Sequence, residues 1–269
     1  MSPPLPGAPT AHTPAHYGSL VSVPPRPPVQ RAVEHPLVGR LLAGRLVAGV
    51  RAEDGLRVAA ALAADGHPVA LEHRPGSRDD DGAGLAGLLD RVRAEGAPGD
   101  CELTVPVHRP AEARELAAGA AEVGLGVVFD GPPDDVDPLL ADHPGARVVV
   151  RSGEPSAEAR CRVLAGRRVR LRAGSRAAAR LAFVRCVDVL LAGDGHPAVA
   201  TADPRLIAIT GERAAWHGRT PDSWEHVMPW RVRTAEQQRL AAAGTTVRVA
   251  VVSGPGAVGA LVGRPGGSR

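Results

Sequence analysis

From about residue 37 onward, short apolar runs of strand length alternate with Ala- and Leu-rich stretches of helical period, and this limits the fold more than any other feature. Strands are expected at 68–72, 102–107, 126–130, 146–151, 169–172, 198–201 and 247–252, with 187–192 as either strand or helix. Helices are expected between them, at 53–64, 111–123, 157–164 and 205–217. In the first of these, Leu56, Ala59, Ala60 and Ala63 fall on one face. Several strands read as apolar on both faces, as in a parallel sheet covered by helices. Repeated βα units of this kind point to an α/β fold, a (β/α)8 barrel, with a doubly wound sheet as the alternative.

The ends of the chain differ from this middle. Residues 1–36 are dense in Pro, His, Ser and Thr, including Pro24-Pro25-Arg26-Pro27-Pro28, which predicts a disordered or polyproline-like tail. The barrel is assigned to 37–264 and a flexible C-terminus to 265–269. Beyond the last strand the sequence is rich in glycine, so the closing helix is expected to be stunted or absent.

Composition removes several chemistries. All 32 basic residues are arginine, so no lysine amine is present to act as base, Schiff-base former or phosphate ligand. Net charge is only +3, and the arginines are interspersed with acids without aromatic stacking platforms, which argues against a nucleic-acid partner. The tightest cluster, Arg167-Arg168-Val169-Arg170-Leu171-Arg172, alternates with apolar residues and reads as the start of a strand. Cys101, Cys161 and Cys186 form no C-x-x-C pair, so neither a disulfide framework nor a zinc site is expected and a reducing cytoplasm is the default. No metal ligand set stands out. No apolar run approaches the ~20 residues of a membrane span, and no secretory signal pattern opens the chain.

The most specific stretch is Ala200-Thr201-Ala202-Asp203-Pro204-Arg205-Leu206-Ile207. It resembles the seventh strand-to-helix junction of the proline dehydrogenase barrel, where the family has Ala-Thr-His-Asp-Pro-Arg-Leu-Ile. Val184-Arg185-Cys186, Leu190-Leu191-Ala192-Gly193, Glu236-Gln237-Gln238-Arg239-Leu240-Ala241-Ala242-Ala243-Gly244 and Val247-Arg248-Val249 are similar to further family segments. The resemblance runs from about Leu46 to Arg264. It implies FAD at the C-terminal mouth of the barrel and oxidation of L-proline, an imino acid, to 1-pyrroline-5-carboxylate by hydride transfer.

On this resemblance Arg170 faces the flavin and Asp130 is a retained catalytic aspartate, although Asp130 reads equally well as a turn or helix-cap residue. Arg151, Thr201 and Glu225 join Arg170 as cofactor contacts, and Glu72 and His73 correspond to the family's Asp-His pair at the substrate. Departures from the pattern are many. Ala202 replaces the family's flavin-contacting histidine, Pro106 and Ala173 replace lysines, and Arg176 and Ala250 replace tyrosines. Where the last helix should present Arg-Arg-x-x-Glu, this chain has Gly, Ala, Val and Leu. Losing a bidentate arginine from a desolvated carboxylate costs about 2–5 kcal/mol, so useful proline affinity is not expected.

Gly254-Pro255-Gly256-Ala257-Val258-Gly259 matches G-x-G-x-x-G literally. Only ten residues follow it, leaving no room for the acidic ribose contact about 20 positions on. Two function classes therefore stand: an FAD-linked proline or imino-acid dehydrogenase with an eroded site, and a non-catalytic barrel kept for binding or regulation.

Overall fold

A computed structural model describes residues 46–74, 76, 81–174 and 176–257. The expected tail over 1–36 and the flexible C-terminus lie outside these residues, as does nearly all of the expected stunted helix. Eight parallel strands close into one barrel in sequence order, β1 through β8. They are β1 Val69–His73, β2 Cys101–Pro106, β3 Gly126–Asp130, β4 Arg147–Arg151, β5 Arg168–Arg172, β6 His196–Ala200, β7 Glu225–Pro229 and β8 Thr246–Ser253. The helices are α1 Ala52–Ala64, α2 Asp81–Glu95, α3 Pro110–Glu122, α4 Pro133–Asp142, α5 Ala157–Val163, α6 Ala177–Ala192, α7 Pro204–Trp216 and α8 Thr234–Ala242. Parallel pairing of β8 with both β7 and β1 closes the ring. The (β/α)8 expectation holds.

The structure settles one element left open in the sequence and adds one strand that was not expected. Residues 187–192 are the end of helix α6, not a strand. The buried set Phe183, Cys186, Val187, Leu190 and Leu191 recurs every three to four residues, so its β-branched run packs as one helical face. The missing strand is β7, Glu225–Pro229, hidden by its polar residues Glu225 and His226. The Ala200–Ile207 junction is consequently the sixth, not the seventh.

Local chemistry explains the helix starts. Pro110 and Pro133 occupy first-turn positions of α3 and α4, where no backbone donor is needed. At α7 the Asp203 side chain accepts the Arg205 backbone N–H at 3.0 Å, with Pro204 following the cap. Strand residues that face outward, such as Leu71, Leu103, Val105, Phe129, Val150, Val169 and Leu171, pack with Leu85, Leu88, Leu116, Leu139 and Leu190 of the helices. This ring between sheet and helices is the apolar core.

The other strand face is unlike the layers of branched apolar residues that usually fill such barrels. Ala70, Ala198, Val227, Ala200 and Ala250 form a small apolar cluster there. Beside these short side chains run the stems of Arg147, Arg170 and Arg248, which converge on two glutamates. Glu102 Oε1 accepts from Arg147 Nε at 3.0 Å, and Glu102 Oε2 accepts from Arg170 Nη2 at 2.6 Å. Glu225 accepts from Arg248 Nε at 3.0 Å and lies 2.8 Å from Arg147 Nη2. Asp100 and Arg168 extend the network toward solvent at the lower rim. Gly126 makes the room for Glu102, because a Cβ there would lie 2.9 Å from the glutamate Cγ.

Burial alone would raise the Glu102 carboxyl, but the guanidiniums of Arg147, Arg170, Arg248 and Arg168 override it and hold it at about 2. Removing one partner of a buried ion pair strands the others without water or counter-charge. Glu102→Gln is therefore expected to cost about 3–5 kcal/mol of unfolding free energy in urea titrations. Asp100→Asn, at a side chain 66% exposed, is expected to cost less than about 1 kcal/mol. Equal losses for the two variants would contradict the cage.

Candidate functional site

The C-terminal ends of the strands form the mouth where barrels of this class carry their chemistry. One side of it is charged. Arg172 donates to Glu72 through Nη2 at 2.5 Å and Nη1 at 3.2 Å. Arg74 Nε donates to the same carboxylate at 2.8 Å. Arg151 Nη2 donates to Asp130 at 2.6 Å, and Arg172 Nη1 lies 3.9 Å from that aspartate. Glu72, Asp130, Arg74, Arg151 and Arg172 thus make one continuous ion-pair chain spanning β1, β3, β4 and β5. The opposite side, from β6 to β8, carries Ala200, Pro229 and Ala250. Trp230 follows β7, half-buried, with the Arg231 guanidinium 4.0 Å above its ring.

Burial pushes the Glu72 carboxyl up, but the charges and hydrogen bonds of Arg172 and Arg74 win and bring it to about 2. Arg172 is raised by Glu72 despite the opposing effect of burial. These groups are therefore ionised and mutually neutralised around neutral pH.

The residues singled out in the sequence occupy several different environments. Glu72, Asp130 and Arg151 are brought together at the mouth. Arg170 is not at its surface: it is 1% exposed in the lumen, with Nη2 on Glu102 and Nη1 on Thr104 Oγ1 at 3.2 Å. Burial lowers its pKa. Glu225 opens β7 rather than ending it, so it lies at the far end of the barrel from the mouth. His73 follows Glu72 directly but, by strand alternation, points to the other face. There its Nδ1 meets Ser253 Oγ at 3.0 Å, and its Nε2 is 3.0 Å from where a Cβ on Gly84 of α2 would sit. Burial lowers its pKa.

Thr201 is buried after β6, where its Oγ1 accepts the Asp203 backbone N–H at 3.1 Å. The Thr-x-Asp-Pro part of the junction thus builds the cap of α7. Gly254 has φ +102°, and a Cβ there would lie 2.0 Å from the Arg74 carbonyl oxygen. The first glycine of the G-x-G-x-x-G match hence serves a close backbone crossing; the last two residues of that match lie outside the described ones. Among the described residues no group of three His, Cys, Asp or Glu side chains gathers to hold a metal. No described helix is long and apolar enough to cross a membrane.

Sequence reasoning missed Arg74, Arg172, Arg147, Arg248 and Glu102 as a connected set. The signal was present in Arg168-Val169-Arg170-Leu171-Arg172, whose charges recur every second residue and so share the lumen face of β5.

No protein-family model matches the sequence, and no curated protein matches it. Solved structures do match its fold. Proline utilization A (PutA) from Bdellovibrio bacteriovorus, inactivated by N-propargylglycine, aligns with a TM-score of 0.67 at 13% identity, covering 84% of this chain and 32% of its own. PutA from Corynebacterium freiburgense gives 0.65 at 14% identity over 86% of this chain and 31% of its own. A Bradyrhizobium japonicum PutA mutant gives 0.60 at 16% over 84% and 31%. The chain spans about a third of the length of these proteins, and the likeness is one of fold.

The mouth network has a pH signature. A glutamate held near 2 when folded and near its ordinary 4.5 when unfolded adds stability above 4.5. That contribution is lost as pH falls from about 4.5 toward about 2. Urea midpoints of the native chain are expected to drop across this window, and Glu72→Gln is expected to flatten part of the drop. A variant profile parallel to the native one would contradict the assignment.

Proposed function

We propose that this chain is a proline dehydrogenase-like barrel that has lost proline oxidation and serves as a non-catalytic binding or regulatory barrel. The observation that carries this reading is the internal pairing of its charged groups. Glu72 is held by Arg172 and Arg74, Asp130 by Arg151, and Arg170 by Glu102 and Thr104. Groups engaged in this way are costly to recruit, because freeing one leaves a buried partner charge uncompensated.

FAD is the cofactor that the resemblance implies, and the residues present do not fit it. Arg170, the residue expected to face the flavin, is spent in the lumen. Glu225 sits at the opposite end of the barrel, and Thr201 is engaged in capping α7. Ala202 offers no ring nitrogen. A proline carboxylate likewise finds no free bidentate arginine among the described strand ends: Arg74, Arg151 and Arg172 are each committed to a carboxylate.

The test is dye-linked oxidation of L-proline by the full chain after incubation with FAD, followed by gel filtration and a flavin spectrum. The expected result is dye reduction no faster than the protein-free blank and no flavin retained with the protein. Saturable proline-dependent dye reduction by flavin-bearing protein would overturn the reading and restore an FAD-linked proline dehydrogenase.

A further inference from the structure

Two of the three cysteines, far apart in sequence, meet across neighbouring helices. Cys161 lies in α5 and Cys186 in α6, and these helices pack side by side outside β4 and β5. Arg185 Nε, next to Cys186, donates to Glu158 Oε2 at 2.8 Å, less than one turn before Cys161. Both thiols are buried in the layer between strands and helices, and they share a hydrogen bond. Cys101 opens β2, on another part of the ring.

A buried cysteine ordinarily behaves as a small apolar side chain, and its thiol is inert. Cys101 fits that description, because burial pushes its thiol up to about 12. The paired thiols depart from it. Their mutual hydrogen bond raises Cys161 and lowers Cys186, the latter against the effect of burial. Arg185 and Arg162 favour the Cys186 thiolate further, opposed by Glu158. The proton therefore stays with Cys161, and Cys186 is the more nucleophilic sulfur.

Helix α5 provides the access that the closed layer lacks. It is seven residues long, and its N-cap residue Ser156 makes no side-chain capping bond. Short, weakly capped elements open locally at lower cost than the rest of a fold.

We propose that Cys161 and Cys186 are a peroxide-sensitive thiol pair whose oxidation to a disulfide locks α5 onto α6. The Cys186 sulfur attacks one oxygen of hydrogen peroxide, the O–O bond breaks, and the other oxygen leaves as water with the Cys186 proton. This gives a sulfenic acid. The Cys161 sulfur then attacks the Cys186 sulfur, forming the S–S bond and expelling the hydroxyl as a second water with the Cys161 proton. Two electrons from two thiols thus reduce one peroxide to two waters. The bond ties together the β4–α5 and β5–α6 units, whose strands end at Arg151 and Arg172 of the mouth. It does not depend on what the mouth binds.

The test exposes the folded full chain to hydrogen peroxide, blocks remaining thiols with iodoacetamide and maps the peptides by mass spectrometry. The native chain is expected to yield one linked peptide pair, Cys161 with Cys186, and an alkylated Cys101. Its Tm is expected to rise by roughly 5–10 °C and to return on adding dithiothreitol. Cys161→Ser is expected to abolish both the link and the thermal shift. Three alkylatable thiols after peroxide, oxidation of Cys186 to a sulfinic acid without a link, or a link through Cys101 would overturn the proposal. The native peptide map decides this even where Cys161→Ser fails to fold.

Discussion

Everything inside the barrel depends on the pairing of Glu102 and Glu225 with Arg147, Arg170 and Arg248. A lumen lined by three buried guanidiniums is stable only if carboxylates meet them at hydrogen-bond distance. The two glutamates do so from β2 and β7, on separate parts of the ring. Small side chains at Ala70, Ala198 and Ala250 then leave space for the long arginine stems. Charge and volume are solved together, and the strands close around an ionic centre in place of an apolar one.

The same pairing determines what the mouth can offer. Above the lumen, Glu72, Arg172, Arg74, Asp130 and Arg151 repeat the arrangement with partial exposure to solvent. Fold and chemistry separate at this point. The barrel frame aligns with the PutA structures, while the charged residues at its strand ends satisfy each other. The Ala200–Ile207 junction has a structural role of its own: Thr201 and Asp203 build a helix cap whatever lies in the mouth.

Much of the fold was legible because the outward strand faces and the helices obey ordinary periods. Leu56 and Ala59 in α1, or Leu103 and Val105 in β2, announce their elements through spacing alone. The errors arose where burial is polar. Glu225 and His226 kept β7 out of the expected strands, since a glutamate in a strand signals solvent unless its arginines are known, and those come from β4 and β8. The apolar Val187–Ala192 run stayed open between strand and helix, because a short apolar run suits either period. At the site, neighbours in sequence such as Glu72 and His73 were read as one pair, whereas strand alternation sends them to opposite faces. Arg170 was recognisable as an inward-facing residue, but its depth and its Glu102 partner are properties of the closed ring and of no local segment.

The arginine side chains report on the central claim directly through ¹H–¹⁵N NMR of their Nε–H groups, recorded with and without FAD and L-proline. Guanidiniums locked in a closed lumen are expected to give slowly exchanging signals for Arg147, Arg170 and Arg248 that stay unshifted when either compound is added. Rapid exchange of these protons with water, or a shift of the Arg170 signal on adding FAD, would contradict the account.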